Sequence, residues 1–571
     1  MGVGRRALDE TPHHLRRVAR GGPRARLARI DRTAKARTPM SSSVICTDLS
    51  HTWPDGTSAF TGLTVTFPPG VTGLIGANGS GKTTLLRLLT STLQPTRGSI
   101  SVPGPVAVLP QNLTTRTGTR VAQVLGIEQT LAALAAVERG QVTPQHLETI
   151  GQDWDVEQRA HALLADLGLD GLPLDTEVAA LSGGQAVLLH LAALLLARPG
   201  VLLLDEPTNN LDHPARQRVA RALAGWRHGV CVVVSHDRDL LESVDRIAEL
   251  HQGRITVHGG GFSSYEQALA TQQAAAQQAL RTAEADERRQ HRDLTQAQHS
   301  VAKRRKQGAR AGENMPKILA GARRRAAQKS AGKLTGLHQQ RLEAARHARR
   351  QAEEAVREED PVIRLDLPAT TVPAGRSVAR LREVVLPHTG ARVDLDIYGP
   401  QRVALLGDNG TGKTTLLRVL AGDLEPEQGV VEVPVPVRLL PQRLDLLDPD
   451  RSVAGNVAAA APGLGDNRVR AGLARLGFAG RRADQPAGSL SGGEALRASL
   501  AVVLLAEPAP QLLMLDEPTN NLDLAGVEHL AAALRTYRGA LIVVSHDQRF
   551  LTDLHPTRRL RLNHTLSDVD G

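Results

Sequence analysis

Two stretches of this sequence carry the residue types that phosphate chemistry needs. Gly76-Ala-Asn78-Gly79-Ser-Gly81-Lys82-Thr83-Thr84 and Gly407-Asp-Asn409-Gly410-Thr-Gly412-Lys413-Thr414-Thr415 both read G-x-x-x-x-G-K-[ST]. Each follows a short apolar run and precedes a helix-forming segment, the context this pattern requires. The glycines let backbone N–H groups turn inward around phosphate oxygens, and the helix start adds its dipole. Lys82 and Lys413 are placed to reach the β- and γ-phosphates of a nucleoside triphosphate, and the Thr83 and Thr414 hydroxyls to ligate Mg²⁺. Downstream, Asp205 and Asp516 close apolar runs, where a carboxylate holds Mg²⁺ through water. The following residues, Glu206 and Glu517, are placed to polarise an attacking water. His236 and His546 follow a second apolar run and can contact the γ-phosphate; Gln111 and Gln442, each in Leu-Pro-Gln, can sense the metal or the water. Each type also has a bland use: an acid at a strand end caps a helix, a histidine packs, a loop glutamine is solvated. Recurrence of the whole set, with the same Pro-Thr-Asn-Asn-Leu-Asp behind both acidic pairs, favours the chemistry.

The repetition also sets the architecture. Leu181-Ser182-Gly183-Gly184-Gln185 returns as Leu490-Ser491-Gly492-Gly493-Glu494, and Val234-Ser-His236-Asp as Val544-Ser-His546-Asp. Between its lysine and its Ser-Gly-Gly the first copy carries 22 residues more than the second. Two homologous domains are expected, over 40–260 and 363–571, with a linker over 261–362 between them. Runs such as Val71–Ile75, Val201–Leu204 and Val230–Val234 read as buried parallel strands, and Thr83–Thr92 and Gln185–Ala197 as helices, so each copy is α/β.

Composition narrows the function. The chain has 571 residues, 41% of them hydrophobic, enough for several cores, and 2% aromatic, so the cores must be Leu, Val, Ala and Ile. Two cysteines, Cys46 and Cys231, exclude a disulfide scaffold, a cysteine-rich zinc module and an iron–sulfur cluster. No apolar stretch reaches membrane-spanning length, and the arginine-rich start lacks the apolar core of a secretory signal, so no membrane insertion is expected. The net charge of +10 is uneven. Residues 1–39, expected to be a basic, disordered tail, hold 11 Lys/Arg against 3 acids; residues 300–335 hold 11 against one, Glu313. Concentrated positive charge points to a polyanion.

The full set of motifs resembles the ATP-binding cassette superfamily over residues 40–571, with Leu-Ser-Gly-Gly-Gln as its signature. The resemblance implies tandem P-loop ATPase domains that sandwich two ATP molecules head to tail within one monomer. Lys82 would then work with Ser491, Gly492 and Gly493, and Lys413 with Ser182, Gly183 and Gly184. Trp53, 23 residues before Gly76, matches the aromatic that stacks adenine in cassettes; the same offset before Gly407 gives Val384, so unequal nucleotide affinities are expected. A basic residue shortly after the signature is present as Arg497 but absent from Ala186-Val-Leu-Leu189.

A tandem pair without membrane spans resembles the F subfamily of cassettes, whose members act on ribosomes in the cytoplasm. Residues 266–300 and 337–359 suit two antiparallel helices, with Leu280, Ala283, Leu294, Ala297 and Val301 facing Leu342, Ala345, Ala352 and Val356. Some 30 helical residues would reach ~45 Å and put the basic block at the far tip. Residues 266–362 contain no Phe, Tyr or Trp, so RNA binding there would rest on phosphate and shape, not on base stacking. By resemblance the tip, including Asn314-Met315-Pro316, approaches tRNA and the peptidyl-transferase centre within the rRNA. Long basic linkers occur in members that protect ribosomes from antibiotics, and the Arg- and Ala-rich usage is like that of actinobacterial members. The other readings are a general translation factor, a linker that only tethers, a pair energising a separate membrane transporter, and a DNA-repair ATPase. The last lacks the zinc cysteines of excision-type repair cassettes.

Overall fold

In the computed structural model, residues 42–569 are described except 55, 112–117, 210, 313–316, 357–369, 442–445, 491 and 521, and the side chains of 305, 308–328, 330–332, 334, 335 and 492. The tail 1–39, Gln442, Ser491 and Asn314-Met315-Pro316 therefore lie outside the described residues.

Each copy is built on a six-stranded sheet. In the first, the strand order is Val106–Leu109, Val201–Asp205, Val230–Val234, Gly70–Ile75, Arg246–His251, Arg254–Gly259; all pairs are parallel except the last. The second copy repeats it with Val437–Leu440, Leu512–Asp516, Ala540–Val544, Arg402–Leu406, Arg558–Leu562 and Leu566–Asp568. The central strands are near-continuous Val and Leu because both faces are covered. In the first copy Leu202, Leu204, Cys231 and Val233 pack beneath the helix Gly183–Ala197. The alternate residues Val201, Leu203, Val230 and Val232 pack on the helix Lys82–Leu89 and on an antiparallel sheet of Ser58–Phe67, Val44–Thr52 and Arg97–Ser101. The strand–loop–helix order that the motifs demanded is thus present, with helices starting one or two residues earlier than the sequence suggested.

The 22-residue surplus is a small helical pair, Glu128–Glu138 and Pro144–Ile150, set between the short helix Val121–Val124 and the helix Val156–Asp166. The second copy passes directly from Val453–Ala460 to Asp466–Arg475.

The linker is two long helices, Phe262–Gly312 and Lys317–Ala355, packed against each other. They are longer than the expected 266–300 and 337–359. The described parts of the basic block are helical, in keeping with the helix tolerance of Lys, Arg, Ala and Gln. The first helix, at 51 residues, is ~76 Å long. Ala297, Leu342 and Ala345 are buried in the seam, and the other expected seam residues are half-buried. Glu287 ties the pair with Arg346 at 3.3 Å and Arg349 at 3.0 Å.

Candidate active sites

Both phosphate loops are held open by glycines no other residue can replace. A Cβ on Gly76 would run into the carbonyl oxygen of Leu250, and one on Gly407 into that of Leu562; both glycines have positive φ (153° and 147°). Lys82 and Lys413, each 8% exposed, curl back over the loops. Lys82 Nζ donates to the carbonyls of Gly76 (2.6 Å) and Ala77 (3.0 Å), and Lys413 Nζ to those of Gly407 and Asp408 (both 2.7 Å). Burial lowers both lysine pKa values; the neighbouring acids Glu206, Asp523 and Asp205, or Glu517, Asp516 and Asp408, oppose it.

Next to each lysine stands a hydroxyl–carboxylate pair. Thr414 Oγ1 donates to Asp516 Oδ2 at 2.7 Å, and Thr83 donates likewise to Asp205. Burial raises the pKa of both aspartates from the ordinary value, while the threonine hydroxyls and the lysines oppose it; a cation there would oppose it too. Hard oxygen donors in this number suit Mg²⁺ completed by phosphate and water, not an all-protein cage.

One residue further on, the chain turns sharply. Glu206 and Glu517 sit at φ +53° and +47°, conformations that non-glycine residues rarely adopt. Their N–H groups donate to Val234 and Val544 at the ends of the neighbouring strands, both at 2.9 Å. This aims each carboxyl at its histidine: Glu206 Oε1 to His236 Nε2 and Glu517 Oε1 to His546 Nε2 are both 3.3 Å. Burial pushes Glu206 up to about 8 and Glu517 up to about 7, and pulls His236 down to about 3 and His546 down to about 4. The imidazoles are therefore neutral at pH 7, and the carboxyls are bases of near-neutral strength.

The two copies meet at these residues. Asp523 caps its own helix, Oδ1 accepting from Gly526 N (2.8 Å), while Oδ2 accepts the N–H of Asn78 in the first phosphate loop (2.8 Å). A Cβ on Gly493 of the second signature would lie 4.0 Å from Asn78 Nδ2. Reciprocally, Asp212 is close enough to act on the charge of Lys413. A cavity of about 700 Å³ opens between the copies, with Glu206, His236 and Gln111 on one side and Thr519, Asn520 and His546 on the other. Ser182 caps the helix Gly183–Ala197 through Gln185 N (3.2 Å), and Gln185 Oε1 accepts Ser182 N (2.9 Å). Glu494 at the matching place is the other residue this reciprocal cap accepts.

The structure revises one reading of the motifs. Val384 is fully buried in the sheet and cannot correspond to Trp53. The match is His388: both lie five residues beyond a left-handed bulge residue, Asp48 and Glu383, each at φ 50°. Trp53 is half-buried, edge-on to His51 at 4.8 Å; His388 is exposed. No basic residue follows the first signature, as the sequence reads. The Arg218 guanidinium crowds Gly168 as the Arg497 guanidinium approaches Gly477, but from a different helix, so no motif spacing revealed it.

Comparison with known proteins agrees with this geometry. The family described as ABC transporter matches residues 60–209 and 391–520. The tylosin resistance ATP-binding protein TlrC of Streptomyces fradiae is 34% identical over 509 residues, spanning 84% of this chain and 89% of that protein. The probable ATP-binding protein YheS of Escherichia coli K12 is 31% identical over 524 residues (89% and 77%), and human ATP-binding cassette sub-family F member 3 is 30% identical over 508 (84% and 65%). Among solved structures, the archaeal ribosome recycling factor aABCE1, in complex with the ribosomal stalk protein aP1, superposes with a TM-score of 0.53 at 19% identity, over 91% of this chain and 89% of that one. The chain is an ATP-hydrolysing member of the ATP-binding cassette superfamily, and belongs to its F subfamily. Among the described residues no helix is long and apolar enough to cross a membrane.

Proposed function

We propose that this chain is a cytoplasmic, ribosome-associated ATPase that closes as a monomer around two ATP molecules and protects ribosomes from an antibiotic through its basic linker. The bond from Asn78 N to Asp523 carries the reading of shared sites, since it brings the phosphate loop of one copy to the signature end of the other. ATP at the first site would meet Gly79, Gly81, Lys82, Thr83 and Thr84 from one side and Ser491, Gly492 and Gly493 from the other. At the second it would meet Gly407, Asn409, Gly410, Gly412, Lys413, Thr414 and Thr415, with Ser182, Gly183 and Gly184 opposite. Trp53 stacks adenine at the first site. Thr83 with Asp205, and Thr414 with Asp516, would hold Mg²⁺, which would neutralise phosphate charge. Glu206 and Glu517 accept a proton from the water that attacks the γ-phosphorus, as the bond to the ADP oxygen breaks; His236 and His546 hold the carboxyls and face the γ-phosphate, and Gln111 and Gln442 position the water.

The reading is supported by a linker with exposed Lys303, Arg304 and Lys306 near its far end, by the similarity to the tylosin resistance protein TlrC, and by the fold shared with the ribosome recycling factor aABCE1. Residues 300–335 would contact rRNA and tRNA near the peptidyl-transferase centre. Co-sedimentation with ribosomes tests it, using Glu206→Gln with Glu517→Gln to slow hydrolysis by on the order of 10²–10⁴. ATP should increase the bound fraction; no increase overturns the reading. Inhibitory concentrations of ribosome-targeting drugs, with and without the gene, separate protection from general translation: no change for any drug leaves the general role.

A further inference from the structure

The exposed face of one helical segment changes sign between the copies. Residues 466–484 of the second copy and 157–175 of the first stand at the same distance before their signature serines, Ser491 and Ser182. Their packing matches: Val469, Leu473, Leu476 and Phe478 are buried in one core as Ala160, Leu164, Leu167 and Leu169 are in the other. Their outer faces do not match. The second segment carries five arginines against Asp466 and Asp484; the first carries Arg159 alone against Glu157, Asp166, Asp170 and Asp175.

Arg470 consumes both acids of the second segment. Its Nε donates to Asp466 Oδ2 at 2.8 Å, and its Nη2 and Nη1 donate to Asp484 Oδ1 and Oδ2 at 2.8 and 3.2 Å. This ties the turn Gly480–Asp484 to the helix Asp466–Arg475. Arg468, Arg475, Arg481 and Arg482 are exposed and have no acidic partner among the described residues. Arg468 and Arg475 lie two turns apart on one stripe of the helix. Arg497 stands behind them, its Nη1 3.4 Å from where a Cβ on Gly477 would be. In the first copy the residue matching Arg468 is Arg159, held by Asp153 and Asp155. Asp166 stands for Arg475, and Leu172 and Pro173 for Arg481 and Arg482.

The same core packs equally well under acids, so the four free cations serve no need of the fold; concentrated positive charge points to a polyanion. The segment exposes no large apolar side chain, so it offers no anchor for a lipid surface. Its one aromatic ring, Phe478, is buried, so base stacking is excluded. Guanidinium forks fit phosphate oxygens two at a time. The Arg470 tie holds turn and helix together, so the charges form a set array that suits folded RNA better than a flexible strand.

We propose that Arg468, Arg475, Arg481 and Arg482 form a second RNA-binding face, on the second copy alone, that grips the phosphate backbone of folded RNA without reading its bases. The inference rests on the proposed ribosomal role and gives the second copy a contact of its own besides the linker.

The test uses the full chain carrying Glu206→Gln and Glu517→Gln, with ATP. Co-sedimentation with ribosomes and retention on deproteinised ribosomal RNA are measured across a salt series. In one variant the four arginines are changed to Gln, in another to Lys; the linker is intact in both. Loss of four phosphate contacts should lower the slope of log K against log[salt] by about 3–4 on both targets. The lysine variant keeps the charge and should keep most of the slope. Changing Arg468 with Arg475, or Arg481 with Arg482, should each take about half of that, which keeps the test decisive if the fourfold variant misfolds. ATPase without ribosomes, read with both glutamates intact, should be unaltered, since none of the four lines the cavity between the copies. An unchanged slope in the glutamine variants overturns the proposal. So does a slope that changes on ribosomes but not on deproteinised RNA, which assigns the face to an acidic protein. Lost sedimentation with phosphatidylserine vesicles alone assigns it to a lipid surface and overturns it too. If the chain with its arginines intact does not sediment with ribosomes, the ribosomal reading fails instead, and retention on RNA still decides the face.

Discussion

The carboxylate of Asp523 binds the backbone N–H of Asn78, 445 residues away in sequence, at 2.8 Å, while its other oxygen caps its own helix. One side chain thus joins the start of a helix in the second copy to the phosphate loop of the first. Asp523→Ala removes both bonds, and loss of the cap alone costs about 1 kcal/mol. Asp523→Asn keeps a capping oxygen but loses the charge. The expected pattern is a lower urea midpoint for the alanine variant only, and weaker ATP binding at the first site for both.

The pH dependence of hydrolysis follows from the buried glutamates. A carboxyl accepts a proton only when ionised, so each site should lose activity as pH falls through the pKa of its glutamate: about 8 for Glu206 and about 7 for Glu517. With Glu517→Gln, only the first site remains, and its rate should still be rising at pH 8. With Glu206→Gln the rise should be complete at lower pH. Identical limbs in steady-state ATPase profiles would contradict the assignment.

Nucleotide affinity should differ between sites. Stacking a base on an aromatic ring contributes ~1–3 kcal/mol. With the second site disabled by Lys413→Ala, Trp53→Ala should weaken a fluorescent ATP analogue by roughly tenfold or more. His388→Ala, read with Lys82→Ala, should have a smaller effect, because the exposed His388 ring is smaller. Equal losses would remove the asymmetry.

The linker's far end should bind through charge. Changing Lys303, Arg304 and Lys306 to Gln, with Arg323, Arg324 and Arg325 also changed in a second variant, should reduce the salt dependence of ribosome binding. The slope of log K against log[salt] should fall by about 2–3 for each group of three. ATPase without ribosomes should be unaltered, as these residues are far along the chain from both phosphate loops. Unchanged binding and drug tolerance in both variants would leave the linker as a tether.

The sequence made much of this legible because phosphate chemistry is local. Glycine spacing, the lysine and the strand-ending acid-acid pairs are separated by short, rigid elements, so Lys82 with Thr83, and Asp205 with Glu206, could be read directly. The strained turn at Glu206 and Glu517 was not legible, since nothing in a glutamate announces positive φ. Alignment by a fixed offset failed for Val384 because the loop after the first strand differs in length between the copies; the bulge residues Asp48 and Glu383 give the true correspondence. Arg218 was missed because it lies against Gly168 from another helix, and such a contact appears only when the chain is folded.

The long helix Phe262–Gly312 begins at the cavity, with Phe262 and Ser263 among its lining and Arg238 stacked 5.5 Å over the Phe262 ring. Glu266, one turn on, pairs with Arg549 of the second copy at 3.0 Å. Arg238 and Arg549 lie two and three residues beyond His236 and His546, so both candidate sites border the base of the same helix. A rod of that length turns a tilt of a few degrees at its base into a swing of several ångströms at its end. Small rearrangements around a phosphate would thereby be magnified mechanically into a stroke large enough to displace whatever the far end touches.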